Sequence, residues 1–153
     1  MTQDNMVLMV QRTINASAER LFDAWTKPEL MKKWFHSSEK MSTQMAEADL
    51  KVGGAWKVEM VNSKGVVYPC FGEYKVIDRP HKLVFTWCPS GGKDDYMTTV
   101  TILLKKVSDT VTELTLTHEG LRNEQEYKDH SGGWNGCLDM LKKFTEADGQ
   151  SHS

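Results

Sequence analysis

The sequence predicts an α+β fold of the helix-grip kind: a curved antiparallel sheet of about six to seven strands wrapped around one long C-terminal helix, with two short helices after the first strand. Three observations predict it. Residues 40–119 read mostly as alternating strands whose inward sets are rich in Trp, Phe, Tyr and Met. Near the end of the chain, His130, Trp134, Cys137, Leu138, Leu141 and then Phe144 or Thr145 recur at spacings of three and four, which places them on one helix face. Before the sheet, two short helical segments follow one another, each with its own start signal. A long helix over a curved sheet encloses a cleft, and whether that cleft is filled is the functional question.

The first strand spans Met6 to Ile14, but Val7, Leu8, Met9 and Val10 are continuous, so its faces cannot be assigned from alternation. Ser17 is a good N-cap for a short helix carrying Leu21, Phe22 and Trp25, and Pro28 opens a second one through Trp34 and Phe35. Residues 39–49 are weakly patterned. Gly53-Gly54 marks a turn or bulge before a clean alternation in which Trp56, Val58 and Met60 face one way and Lys57 and Glu59 the other. Asn62-Ser63-Lys64-Gly65 is a hairpin loop leading into a long strand, Val66 to Ile77. The strands Lys82 to Trp87, Met97 to Lys106 and Val111 to His118 follow, the last two with inward sets Val100, Ile102, Leu104 and Thr112, Leu114, Leu116, His118. Residues 88–95 form a polar, Gly-rich loop, and residues 124–129 supply the acidic first turns of the final helix. Residues 1–147 are therefore expected to form one domain, and residues 148–153 a disordered polar tail.

Composition narrows the partners. A formal charge of -2, from 19 basic and 21 acidic residues, offers no footprint for nucleic acid or an anionic membrane. The opening residues fit neither a secretory signal nor a spanning helix, so a cytoplasmic protein without membrane insertion is expected. The three cysteines, Cys70, Cys88 and Cys137, are widely spaced and odd in number, which argues for free thiols over a disulfide framework or a zinc site. Strand parity puts Cys70, Gly72, Tyr74 and Val76 inward on one strand and Leu83, Phe85 and Trp87 inward on the next. Cys88 then faces outward, where it cannot be bridged to Cys70.

Several ordered blocks resemble one family over Arg12 to Phe144. The segment from Arg12 to Thr26, then Pro28-Glu29 and Trp34-Phe35, looks like the opening of bacterial proteins similar to the activator of the heat-shock-protein-90 ATPase. Residues 49–54 followed by Trp56, then Gly72-Glu73-Tyr74, residues 83–87, residues 114–118, and Gly133-Trp134 followed by Leu138 continue that pattern. The resemblance implies the START-like, Bet v 1-like or SRPBCC superfamily, in which an antiparallel sheet wraps a C-terminal helix and commonly encloses an apolar cavity. It implies a chaperone as a possible partner. Chaperone activation itself is not implied, because in the eukaryotic activator this domain accompanies another that engages the chaperone, and none is expected in 153 residues. Lipid carriers, hormone receptors and aromatase or cyclase enzymes share the fold, which does not choose among them.

On strand parity the candidate ligand site is lined by Trp56, Val58, Met60, Tyr74, Phe85, Trp87 and His118, with Ile102 and Leu116, and closed by His130, Trp134, Cys137, Leu138 and Leu141. Leu138 and Leu141 fit an ordinary packed core, whereas the tryptophans carry indole donors that need partners and favour a wet boundary. His118 ends the last strand and His130 begins the long helix, so both are expected at the same end of the cleft. They would either orient a ligand, serve as acid or base, or simply bond to loop backbone. Helix glycines Gly132, Gly133 and Gly136 imply a close approach, a kink or a cavity floor kept unobstructed. The expected function is binding of a small apolar or aromatic molecule without cofactor or metal. The rivals are a cyclase-like enzyme using the histidines and Tyr74, and a chaperone-associated module.

Overall fold

The structure is a computed structural model that describes residues 6–150, with side chains described for residues 6–147. In chain order the elements are β1 (Met6–Ile14), α1 (Ala18–Thr26), α2 (Pro28–Trp34), β2 (Ser42–Ala48), β3 (Ala55–Val61), β4 (Val67–Asp78), β5 (Lys82–Trp87), β6 (Thr98–Ser108), β7 (Val111–Leu121) and α3 (Glu124–Gln150). The strands form one sheet in the order β1-β7-β6-β5-β4-β3-β2, every neighbouring pair antiparallel. Among the described strands only β1 pairs out of sequence, with β7, which brings the first and last strands together beside the long helix. This is the expected helix-grip arrangement.

Local chemistry sets the elements. The Ser17 hydroxyl accepts the Arg20 backbone N–H at 3.1 Å, capping α1, and Leu21, Phe22 and Trp25 on its inner face are buried. Pro28 sits in the first turn of α2, where its missing N–H is not needed. The indole of Trp34 donates to the Ala24 carbonyl at 2.8 Å, and its ring meets Trp25 edge-on at 4.7 Å, locking the two short helices together. In β1 the faces resolve: Leu8, Val10 and Ile14 are buried, while Val7 and Met9 face solvent.

Two parity expectations are corrected. Val76 is exposed, because the β4–β5 register slips between Tyr74 and Val76, and Ile77 turns toward the core in its place. Cys88 does not face outward but is buried. Strand β5 ends at Trp87, so alternation no longer governs Cys88, and the chain folds its thiol to within 3.6 Å of the Asp94 carbonyl. All three cysteines are free thiols. The weakly patterned stretch forms edge strand β2, whose burial does not alternate cleanly. At the C-terminus α3 continues to Gln150, and the rest of the expected polar tail, residues 151–153, lies outside the described residues, as do residues 1–5. Among the described residues no helix is long and apolar enough to cross a membrane.

The helix glycines divide by role. A Cβ on Gly136 would lie 1.9 Å from the Ser37 carbonyl, so α3 crosses the α2–β2 connection in backbone contact there. On Gly133 a Cβ would meet nothing within 4 Å. The helix therefore leaves an open volume one turn before it makes its closest approach.

Candidate functional site

That open volume is a cleft of about 600 Å³ between the first half of α3 and the β3–β4 end of the sheet. Asp129, His130, Gly133, Trp134 and Cys137 come from the helix, Met60 from β3, and Tyr68, Pro69 and Cys70 from β4. The loop after β5 contributes Cys88, Pro89, Ser90, Gly91 and Lys93, while Ser37 and Met41 close it from the α2–β2 connection. The walls are mainly apolar, and Asn62, Lys93 and Asp129 are the polar groups with the longest reach.

The structure brings together only part of the parity-based set. Met60, Trp87, His130, Trp134 and Cys137 line the cleft. Trp56, Tyr74 and Phe85 instead pack with Trp25, Met31 and Phe35 around a void of about 10 Å³, too small for a ligand. Val58 and Leu138 are fully buried in the same core, as are Ile102, Leu116 and Leu141. His118 is inside but does not reach the cleft surface; it lies behind Trp134. Sequence reasoning missed Tyr68, Pro69, Cys70 and Cys88 as lining residues. The available signal was the apolar run Val66-Val67-Tyr68, which directly follows a hairpin loop and remains 41–46% exposed.

His118 and His130 are 5.2 Å apart by ring centroid and are each tied to a tryptophan. The Trp134 indole donates to His118 Nδ1 at 2.9 Å. Since an indole only donates, the His118 proton resides on Nε2, which donates to Thr98 Oγ1 at 2.7 Å; that hydroxyl in turn donates to the Trp87 carbonyl at 2.8 Å. Likewise the Trp87 indole donates to His130 Nε2 at 3.2 Å, leaving His130 Nδ1–H to donate to the Glu126 carbonyl at 2.8 Å. Both rings are thus neutral, with tautomers fixed by their neighbours. Burial, and secondarily the nearby His130, hold the His118 pKa down to about 3. Burial also raises the Tyr74 hydroxyl above its ordinary range. A neutral histidine whose two nitrogens are both engaged has neither a free N–H to donate to a ligand nor a free lone pair to accept from one.

Arg122 fastens the cleft's outer loop to the helix. It bonds Asp94 at 3.0 Å and Glu126 through a forked contact, and its guanidinium lies 4.4 Å from the centre of the Tyr96 ring. The His130 bond to Glu126 belongs to the same turn of α3. Among the described residues no group of three or more His, Cys, Asp or Glu is arranged to hold a metal ion.

Comparison with known proteins is consistent with this architecture. No curated protein matches the chain. Among solved structures, the AHSA1-like protein from Aeromonas hydrophila is 22% identical, with a TM-score of 0.81 and 97% of each chain covered. Protein NE0264 from Nitrosomonas europaea is 21% identical with a TM-score of 0.79, covering 95% of this chain and 97% of that one. An HSP90 activator from Plasmodium falciparum is 25% identical with a TM-score of 0.71, covering 91% and 95%. The profile of the family described as activator of Hsp90 ATPase homolog 1-like protein matches residues 15–146, and the chain belongs to that family.

Proposed function

We propose that this protein binds a small apolar or aromatic molecule in the cleft between α3 and the β3–β4 end of the sheet. The observation that carries the reading is the cleft itself: about 600 Å³, largely apolar, and floored at Gly133 by a residue with no side chain. Small-molecule sites commonly enclose about 300–1,000 Å³ with apolar walls and few polar groups. Trp87 and Trp134 supply flat contact surface, and His130 adds a polar edge. The bonded state of His118 and His130 favours binding over proton-transfer catalysis, and Tyr74 lies apart from both in the packed core. Three free thiols suit a reducing, cytoplasmic setting.

The test uses the fluorescence of N-phenyl-1-naphthylamine, a neutral aromatic probe. Wild type is expected to bind it saturably, and Gly133→Phe, which places a ring in open space, to lose binding while remaining folded. Equal binding by both proteins would sink the proposal.

A chaperone-associated role is the second reading, favoured by the family match and by the Plasmodium relative named as an HSP90 activator. Under it, the purified protein raises the ATPase rate of an Hsp90 chaperone. An unchanged rate and no co-purification would dispose of it.

A further inference from the structure

All of the chain's cysteines reach one cleft. Cys70 comes from β4, Cys88 follows β5 and Cys137 lies on α3, yet all three line the volume beneath the first half of the long helix. Met41 and Met60 add their sulfurs, and Trp87 and Trp134 their electron-rich rings. Cys137 is 4% exposed, and among the described residues its thiol has no hydrogen-bond partner. Small apolar residues would fill this wall as well as three thiols do, without their reactivity. Chelation is not what the thiols are arranged for, since no metal-binding group of three exists among the described residues. Capture of a carbon electrophile, by contrast, requires only one thiol at a time.

Resting on the ligand-binding reading above, we propose that the cleft is a trap for soft electrophiles of the quinone class, held against its indoles and captured by thiol addition, first at Cys88. In the addition, the Cys88 sulfur forms a bond to the β-carbon of the quinone's conjugated C=C. The π pair moves onto the carbonyl oxygen, which takes the thiol proton. The ring proton at the attacked carbon then shifts to the second oxygen, leaving a hydroquinone thioether. The ring is reduced as the S–C bond forms, so no other oxidant or reductant is needed. The protein gains the mass of one whole quinone.

Cys88 is preferred for two reasons. Its Sγ lies 3.5 Å from Ser90 Oγ and 3.6 Å from the Asp94 carbonyl, on a loop that also brings Lys93 to the cleft wall. Cys70 is held within β4 and Cys137 within α3, where burial pushes the Cys70 thiol up to about 12 and the Cys137 thiol higher still, whereas Cys88 follows the end of β5 on the loop that walls the cleft.

The experiment treats the native protein with 1,4-naphthoquinone and follows the intact mass. One adduct is expected, about ten-fold faster than addition to free glutathione because the bound ring is held beside the thiol. Cys88→Ser is expected to abolish the fast phase, Gly133→Phe to slow it to the glutathione rate, and prior filling with unreactive naphthalene to protect wild type. The naphthalene arm holds even if Gly133→Phe fails to fold. An adduct at Cys70 or Cys137 that naphthalene blocks supports the trap and overturns Cys88 as its first thiol. Addition no faster than to glutathione, or unaffected by naphthalene, overturns the inference. If N-phenyl-1-naphthylamine still binds in that case, the binding reading stands; if it does not, both fall.

Discussion

The two halves of α3 face the same sheet but do different things. From Leu138 onward the helix is core: Leu138, Leu141 and Thr145 are fully buried, and the Thr145 hydroxyl returns to the Leu141 carbonyl. Before Leu138 it is a wall, with His130, Gly133, Trp134 and Cys137 bordering the cleft. The aromatic cluster continues the contrast. Trp25, Trp34, Phe35, Trp56 and Phe85 interlock ring to ring, whereas Trp87 and Trp134 spend one side on that cluster and the other on open volume. A helix can therefore serve stability at one end and recognition at the other, provided that its space-filling residues are confined to the stabilising end.

The largest effect is expected on the solid side. Trp34→Ala removes a fully buried ring, its bond to Ala24 and its contacts with Trp25 and Phe35, and should cost about 3–5 kcal/mol in urea unfolding. A loss below about 1 kcal/mol would mean that this cluster is not the closely packed half. Next comes pH. His118 titrates near 3 when folded and near 6.5 when unfolded, so the unfolded chain binds more protons between those values. Its contribution is complete above pH 6.5 and is lost progressively as pH falls toward 3. Between pH 6.5 and 5, where most carboxylates are still ionised, the loss should be about 2 kcal/mol. His36, also lowered by burial, acts in the same direction. Stability that stays level across that window would contradict the neutral, doubly bonded His118.

Gly136→Ala tests the boundary between the halves. Its new methyl would run into the Ser37 carbonyl, a backbone atom that cannot turn aside, so the helix or the α2–β2 connection must move. A loss of about 1–3 kcal/mol is expected, and, because Ser37 and Met41 line the cleft, weaker probe binding with it. Unchanged stability would show that α3 does not approach so closely.

Most of the fold was legible because alternation and helical spacing report which face of an element is apolar. The stripe Trp134, Cys137, Leu138, Leu141 and the inward sets of β6 and β7 are all buried as that rule requires. What parity cannot report is depth. Alternation places both His118 and Trp87 inward, yet one sits behind Trp134 and the other at the cleft surface. Nor does parity survive a register slip or a strand end, as Val76 and Cys88 show. Continuous apolar runs defeat it from the start, so the faces of β1 emerged only from its pairing with β7. The cleft's Tyr68-Pro69-Cys70 edge was hidden for a related reason: consecutive residues along a strand border the same hollow where the sheet curls over it.

The smallest effect is the most discriminating. Gly132 and Gly133 both lie inside α3, and a Cβ on either meets nothing within 4 Å, so neither glycine is required by packing. Alanine at either position should stabilise the helix by about 1 kcal/mol, the ordinary difference between these residues in a helix interior. Gly132 is exposed and Gly133 lines the cleft. Gly132→Ala should therefore raise the urea midpoint and leave N-phenyl-1-naphthylamine binding as it was. Gly133→Ala should raise the midpoint equally but weaken binding by intruding on the volume the probe occupies. If both variants bind like wild type, the volume beneath Gly133 is not where the ligand sits. If binding falls only for Gly133→Ala, a glycine that costs stability is there to keep space for a ligand.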